Sequence, residues 1–200
     1  MVVTVTNMHA PDGEPPAQKD ELDPQLFRRV LGHFASGVTV ITGVDGGGPV
    51  GFACQAFAAL SLDPPLVLCS PAKSSSTWPR IAAAGHFCAN ILAADQRDLA
   101  RRFGVSGRDK FAGIRWTPGP NGAPLLPGVL TWVACSVETV HDAGDHYVVI
   151  ARVTDLGDSI AGEPLLFYRG RFTLSAQTGE DTPPEVVDTL LSWPRFADWM

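Results

Sequence analysis

Two long β-rich runs, residues 129–140 and 147–156, flank Asp142-Ala143-Gly144-Asp145, and this pair constrains the fold more than any other feature. Asp and Gly between two such runs make an antiparallel hairpin. A hairpin alone is marginal in water, so further strands or a helix must cover it. The sequence supplies them. Val38-Thr39-Val40-Ile41-Thr42 is wholly β-branched and Asp45-Gly46-Gly47-Gly48-Pro49 is a turn. A strand beginning at residues 50–53 completes a second hairpin. Strands are also expected over 56–62, 66–69, 87–92 and 165–174, with Asp63-Pro64-Pro65 breaking the run where a sheet interior would not tolerate it.

Short helices fall between these strands. Asp23 can N-cap the first and Pro24 suits its first turn; Leu26, Phe27, Val30, Leu31 and Phe34 recur at helical spacing, and Gly37 ends it. Ser74, Ser75, Ser76 and Thr77 open the second, which runs through Ile81 to Gly85; Asp95 caps the third, which carries Leu99 and Phe103. Helices do not alternate regularly with strands, which disfavours a doubly wound parallel sheet. The expected fold is mainly β with short helices, as a closed or split antiparallel barrel, because closure removes unpaired edges.

The 200 residues suit one domain with a real core. Residues 1–22 read as a flexible tail, 23–176 as the folded domain and 177–200 as a C-terminal extension. The extension carries Val186, Val187, Leu190, Leu191, Trp193, Phe196 and Trp199, and is expected to pack on the core or on a partner subunit. A net charge of −6 argues against nucleic acid as a partner, since phosphate neutralisation needs a clustered basic face. No secretory signal and no apolar run of membrane-spanning length are seen, so a cytoplasmic protein without a membrane partner is expected. Cys54, Cys69, Cys88 and Cys135 lie in apolar runs without a CxxC pair, and buried free thiols are expected.

P-loop, nucleophile-elbow and zincin motifs are missing, and the Gly46-Gly47-Gly48 run is followed by Pro49 and a strand, so it is a turn and not the phosphate cradle of a dinucleotide motif. Ser70-Pro71-Ala72-Lys73 matches the spacing of an acyl-transfer Ser/Lys pair, but no companion motif follows it. Lys73 and the four hydroxyls after it leave two readings open. One is a phosphate site; the other is an ordinary helix cap, for which Ser and Thr are preferred. His141-Asp142-Ala143-Gly144-Asp145-His146 gathers imidazoles and carboxylates at one turn; no metal is assigned to it, since turns favour Asp and Gly anyway.

Taken in order, one set of segments resembles the flavin reductase family that supplies reduced flavin to two-component monooxygenases. The set begins with Phe34-Ala35-Ser36-Gly37-Val38-Thr39-Val40-Ile41-Thr42, Gly51-Phe52-Ala53-Cys54-Gln55-Ala56-Phe57 and Leu60-Ser61-Leu62-Asp63-Pro64-Pro65-Leu66-Val67-Leu68. It continues with residues 73–77, Phe87-Cys88-Ala89-Asn90-Ile91-Leu92, Leu99-Ala100-Arg101-Arg102-Phe103, Asp109-Lys110-Phe111, Gly144-Asp145-His146 and Tyr168-Arg169-Gly170. The resemblance covers residues 27–174 and implies a split-barrel flavin-binding fold of Greek-key type, a homodimer, and reduction of FAD or FMN by NADH or NADPH. It also implies a monooxygenase component as the partner that receives the reduced flavin.

By the same resemblance, the flavin ring lies against Val50, Gly51, Phe52, Ala53, Gln55 and Ala56 and runs past Ser70, Pro71 and Ala72. Its phosphate meets Ser76 and Thr77, which favours the phosphate reading of the hydroxyl run. Arg102, Phe103 and Lys110 hold the flavin tail or the dimer; His146 stands beside the ring as the catalytic residue; Tyr168, Arg169 and Gly170 border the nicotinamide pocket. Two positions depart from many relatives: Ala56 replaces a Ser, and Ser76 replaces an Arg, a loss for which Lys73 or Arg80 could compensate. Two alternatives stay open: a flavoprotein that keeps its flavin to reduce an organic substrate, and a non-catalytic flavin-binding module.

Overall fold

The computed structural model describes residues 22–107 and 109–175, so the expectations for the N-terminal tail up to residue 21 and for the C-terminal extension lie outside the described residues. In chain order the elements are α1 (Pro24–Leu31), β1 (Ser36–Gly37), β2 (Thr39–Asp45), β3 (Gly48–Cys54), β4 (Phe57–Leu62), β5 (Pro65–Cys69), α2 (Trp78–Ala84) and β6 (His86–Ile91). They continue with α3 (Arg97–Gly104), β7 (Thr117–Pro118), β8 (Pro124–Leu125), β9 (Thr131–Ala143), β10 (His146–Leu156), β11 (Leu166–Tyr168) and β12 (Arg171–Thr173). The described residues are thus mainly β with three short helices. Seven strands make one antiparallel sheet in the order β3-β2-β6-β9-β10-β5-β4, and β1, β11 and β12 make a smaller one.

That order dictates a shape. β3 and β4 lie at opposite edges of the seven-stranded sheet, yet only Gln55 and Ala56 separate them in the chain. Six strand spacings would hold the edges about 29 Å apart in a flat sheet. The linker spans at most about 10 Å. The sheet therefore curls until its two edges meet at Gln55-Ala56. The edges are not hydrogen-bonded to each other among the described residues, so a seam remains.

Curling also explains the unbroken burial of β2 from Thr39 to Gly43. Successive side chains of a strand point to opposite faces. Ile41 faces one core with Val50, Trp78, Ile81, Phe87 and Val149, whereas Val40 faces another with Leu92, Phe103, Leu126 and Leu165. Both faces are covered, so any polar side chain on them must find its hydrogen-bond partner inside the fold. The buried polar groups are satisfied: Thr39 Oγ1 donates to Cys54 O at 2.9 Å, and Thr42 Oγ1 donates to Pro124 O at 2.6 Å. Asn90, wholly buried, cross-links three segments. Its Nδ2 donates to Val40 O and Thr42 Oγ1, and its Oδ1 accepts from Leu126 N–H at 2.9 Å. All four cysteines are buried free thiols, and burial pushes Cys88 and Cys135 up to about 12.

Four local expectations are corrected. α1 stops at Leu31, not Gly37: Gly32 caps it, Gly32 O accepts from Arg169 N–H at 2.8 Å, and Gly37 is drawn into β1 opposite Leu166. α2 begins at Trp78 because Ser75 Oγ takes the N–H groups of Thr77 and Trp78, ending the hydroxyl run outside the helix. Asp95 does not cap α3; Gln96 holds that position, its side chain accepting from Ala93 N–H and donating to Pro127 O. The strand expected over 165–174 is a hairpin, because Arg169 and Gly170 both take positive φ, 49° and 75°.

Asn90→Ala leaves Leu126 N–H without an acceptor and opens a small void. It should lower stability by roughly 3 kcal/mol, a fall in Tm of about 6–12 °C for a chain of this size; a thermal melt unchanged within error would contradict the cross-linking role.

Candidate functional site

The seam opens into a cleft of about 1110 Å3. Phe52, Ala53 and Cys54 from the end of β3 line it, followed by Gln55 and Ala56 of the linker. Ser70, Pro71 and Ala72 form an adjoining wall, and the hydroxyls of Ser74, Ser75, Ser76 and Thr77 extend it. α3 contributes Ala100, Arg101, Phe103 and Gly104, while Lys110, His146 and Phe172 come from distant segments.

The wall at residues 70–73 is fixed by backbone bonds. Ser70 N–H donates to Ala56 O at 3.0 Å, Tyr147 N–H to Pro71 O at 2.9 Å, and Lys73 N–H to Asp145 O at 2.9 Å. Ala72 forms a bridge with His146. The chain after β5 thus continues along the start of β10. The two-residue turn Gly144-Asp145, with Gly144 at φ 63°, makes His146 the first residue of β10 and delivers it to the cleft.

His146 Nδ1 lies 2.7 Å from Asp145 Oδ1. This hydrogen bond is the main cause holding the Asp145 carboxyl below its ordinary range. A carboxylate only accepts, so Nδ1 carries the proton and Nε2 of the neutral ring keeps its lone pair.

Lys110 Nζ donates to Gly51 O at 3.1 Å and to Phe103 O at 3.0 Å, tying the end of α3 to β3. Burial lowers its pKa from the ordinary lysine value. An ammonium has three N–H groups, so one is left for a ligand. A second cavity of about 750 Å3 shares Ser76, Thr77 and Lys110 with the cleft, and Val50 and Gly51 open onto it. Gly51 is glycine for packing reasons: a Cβ there would come within 2.9 Å of Ile41 O and of the Phe103 ring.

The cleft therefore unites Phe52, Ala53, Gln55, Ala56, Ser70, Pro71, Ala72, Ser76, Thr77, Phe103, Lys110 and His146 of the expected set. Arg102 is not among them; its guanidinium donates to Ala112 O. Tyr168 and Arg169 line a separate hollow of about 400 Å3 that meets the cleft at Phe172. Gly170 lines neither; it completes the β11–β12 turn. Lys73 is engaged elsewhere, 2.6 Å from Asp142, which leaves Ser70 without the lysine an acyl-transfer pair needs. Among the described residues no group of three His, Cys, Asp or Glu is arranged to hold a metal.

The sequence reading missed Val38, Cys54, Ala100, Arg101, Gly104, Val105, Ser106 and Phe172 as lining residues. Cys54 lay between residues already singled out, and residues 100–106 adjoin Arg102 and Phe103 in the chain. Val38 and Phe172 arrive through long-range packing.

Comparison with known proteins decides the family. The model of the flavin reductase like domain matches residues 31–174. The chain belongs to this family. The reductase subunit HsaB of a flavin-dependent monooxygenase from Rhodococcus jostii is 52% identical over 161 residues, covering 80% of this chain and 83% of its own. The NADH-dependent FMN reductase SmoA of Agrobacterium fabrum is 44% identical, covering 73% of this chain and 83% of its own. Among solved structures, nitrilotriacetate monooxygenase component B from Mycobacterium thermoresistibile matches with a TM-score of 0.80 at 49% identity, over 86% of this chain and 96% of that one. The NADH:FAD oxidoreductase SgcE6 of Streptomyces globisporus, solved with NAD and FAD fragments, matches with a TM-score of 0.75 at 34% identity, over 79% of this chain and 96% of that one.

One electrostatic feature of this flavin reductase-like domain stands at the rim of the second cavity. Arg80 Nε and Nη2 donate to Asp45 at 2.6 and 2.7 Å, and this pair lowers the Asp45 carboxyl to about 2. A depressed carboxyl pKa contributes stability above the ordinary value and loses it as pH falls through the folded value. The contribution is therefore intact at neutral pH and disappears on acidification from about 4 to about 2. A carboxyl NMR titration should find Asp45 near 2 in the wild type and raised toward, but short of, 3.8 in Arg80→Gln, where Gly47 N–H still donates to Asp45 Oδ1; an unchanged midpoint in the variant would refute the pairing.

Proposed function

We propose that this chain is an NAD(P)H-dependent flavin reductase that makes diffusible reduced flavin for a partner monooxygenase. The observation that carries this is the composition of the seam. An apolar bed of Phe52, Ala53, Ala56, Pro71 and Ala72 adjoins a hydroxyl wall and a half-buried cation, Lys110. That combination suits a planar apolar ring with a polar, phosphorylated tail.

A bound flavin supplies the hydride acceptor, and the protein supplies binding, orientation and exclusion of water. The apolar bed excludes water from one side of the ring. The linker backbone at Gln55 and Ala56 is free of side-chain bulk at Ala56, so amide groups can meet the ring's polar edge. Ser76, Thr77 and the uncommitted N–H of Lys110 hold the phosphate. Phe103 and Lys110 stiffen this end of the cleft through the bond from Nζ to Phe103 O. His146, oriented by Asp145, presents Nε2 as an acceptor to the carboxamide N–H of nicotinamide and holds that ring for transfer. Tyr168 and Arg169, in the hollow that meets the cleft at Phe172, bound the nicotinamide side, with Gly170 completing the turn that carries them.

An open cleft with one half-buried cation favours release, so flavin is held near micromolar, about 8 kcal/mol. The curled sheet with an unpaired seam is read as the split barrel of Greek-key type. A homodimer is supported by α1, where Leu26, Phe27, Val30 and Leu31 remain 38% to 56% exposed. The buried free thiols fit the reducing cytoplasm.

The test is steady-state oxidation of NADH and NADPH with added FAD, added FMN or neither. Oxidation should require free flavin, and its absence with every pair would overturn the proposal. His146→Ala should lower kcat/KM for the pyridine nucleotide by about tenfold to hundredfold while the flavin Kd shifts much less. Equal losses in both would remove His146 from the nicotinamide role.

A further inference from the structure

The hairpin tip that carries His146 has little support from the sheet. β6 reaches β9 only as far as Ser136, and β5 reaches β10 only from Val149 onward. Every residue from 138 to 145 is exposed. Successive side chains of a strand take opposite faces, so neither face of the tip is covered. The segment after β5 is what holds it. Tyr147 N–H bonds to Pro71 O and Lys73 N–H to Asp145 O, with the Ala72–His146 bridge between them.

The Lys73 side chain adds a grip of its own. In the run from Ser70 to Thr77, Lys73 is the one residue that does not line the cleft. Its Nζ stands 5.5 Å from the centre of the Tyr147 ring and 2.6 Å from Asp142 Oδ1. Tyr147 and Asp142 face each other in the β9–β10 register. One ammonium therefore engages both strands of the tip. It does so right beside His146, whose side chain leaves β10 on the face opposite Tyr147.

Resting on the flavin reading above, we infer that Lys73 is a positioning residue for the nicotinamide step. With Asp142 and Tyr147 it clamps the hairpin tip to residues 71–73 and so fixes where His146 stands in the cleft. Its charge is spent on Asp142 and not on the hydroxyl wall that follows it in the chain. That hydrogen bond raises the Lys73 pKa above the ordinary lysine value, so the clamp is charged at neutral pH. An exposed pair adds little to global stability. Its effect is local: a displacement on the order of 1 Å at a reacting centre can cost about hundredfold in rate.

The experiment measures NADH and NADPH oxidation with added FAD or FMN, and flavin Kd by fluorescence titration, in Lys73→Met, Asp142→Asn, the double variant and Lys73→Arg. Lys73→Met keeps the stem against Tyr147 and loses the charge. It and Asp142→Asn should each lower kcat/KM for the pyridine nucleotide at least about threefold, with flavin Kd changed less than about twofold. The double variant should be no worse than the singles, because each already removes the same pair. Lys73→Arg, which keeps the charge, should stay near the wild-type rate. Unchanged kcat/KM in both single variants would overturn the inference and leave the flavin reading standing. So would a flavin Kd that weakens in step with kcat/KM, which would give Lys73 to the flavin tail. A wild type that oxidises neither nucleotide with either flavin would bring down the reading and the clamp together.

Discussion

The structure depends on a short tether. Gln55 and Ala56 join strands that sit at opposite edges of a seven-stranded sheet, and a linker of that length forces the edges together. Curling buries both faces of the central strands and leaves a seam that hydrogen bonding does not close. The cleft is that seam. Its floor is the tether itself, and its walls are the segments that run on from the strands beside it. The constraint that folds the sheet thus also builds the site, and no separate element is needed to make a pocket.

The cost of this arrangement is borne by polar groups that the curling buries. β2 has core on both sides, and its two threonines must spend their hydroxyls on backbone carbonyls. Asn90 uses both ends of its amide between β2 and the segment around β8. Each bond is worth little net, but each group left unmade would be expensive. Among the described residues no buried side-chain nitrogen or oxygen lacks a partner. The core is therefore specified by satisfied polar contacts as much as by apolar area, which suits a site whose residues come from distant parts of the chain.

Strand positions were legible because their signals are local. The hairpin around Gly144 and the turn before Pro49 follow from Gly and Asp flanked by β-branched residues, and both are observed. Element ends were less legible, since distant partners set them. Gly32 ends α1 with the help of Arg169, and nothing near residue 32 reveals that bond. Only Gly170 hinted at the β11–β12 turn, because Arg169 at positive φ is not a residue type that announces it. In the site, the linker and the hydroxyl wall were readable as contiguous motifs. Arg101 and Arg102 were not distinguishable by sequence; helix geometry turns one toward the cleft and the other toward Ala112. Phe172 was invisible because a separate small sheet brings it in.

The placement of cations links this geometry to turnover. Of the four basic residues nearest the cleft and the second cavity, Lys73 is held by Asp142, Arg80 by Asp45 and Arg101 by Asp98, leaving Lys110 as the one without a carboxylate partner among them. Burial already weakens the hold of Lys110 on its proton, so its charge is costly to keep and gains most when an anion arrives. An anionic tail would therefore be attracted strongly at one point and only modestly elsewhere. A carrier that must leave after each reduction needs that balance: enough attraction to align the ring, too little to retain it. A site with a free cation at every phosphate would bind more tightly and release more slowly.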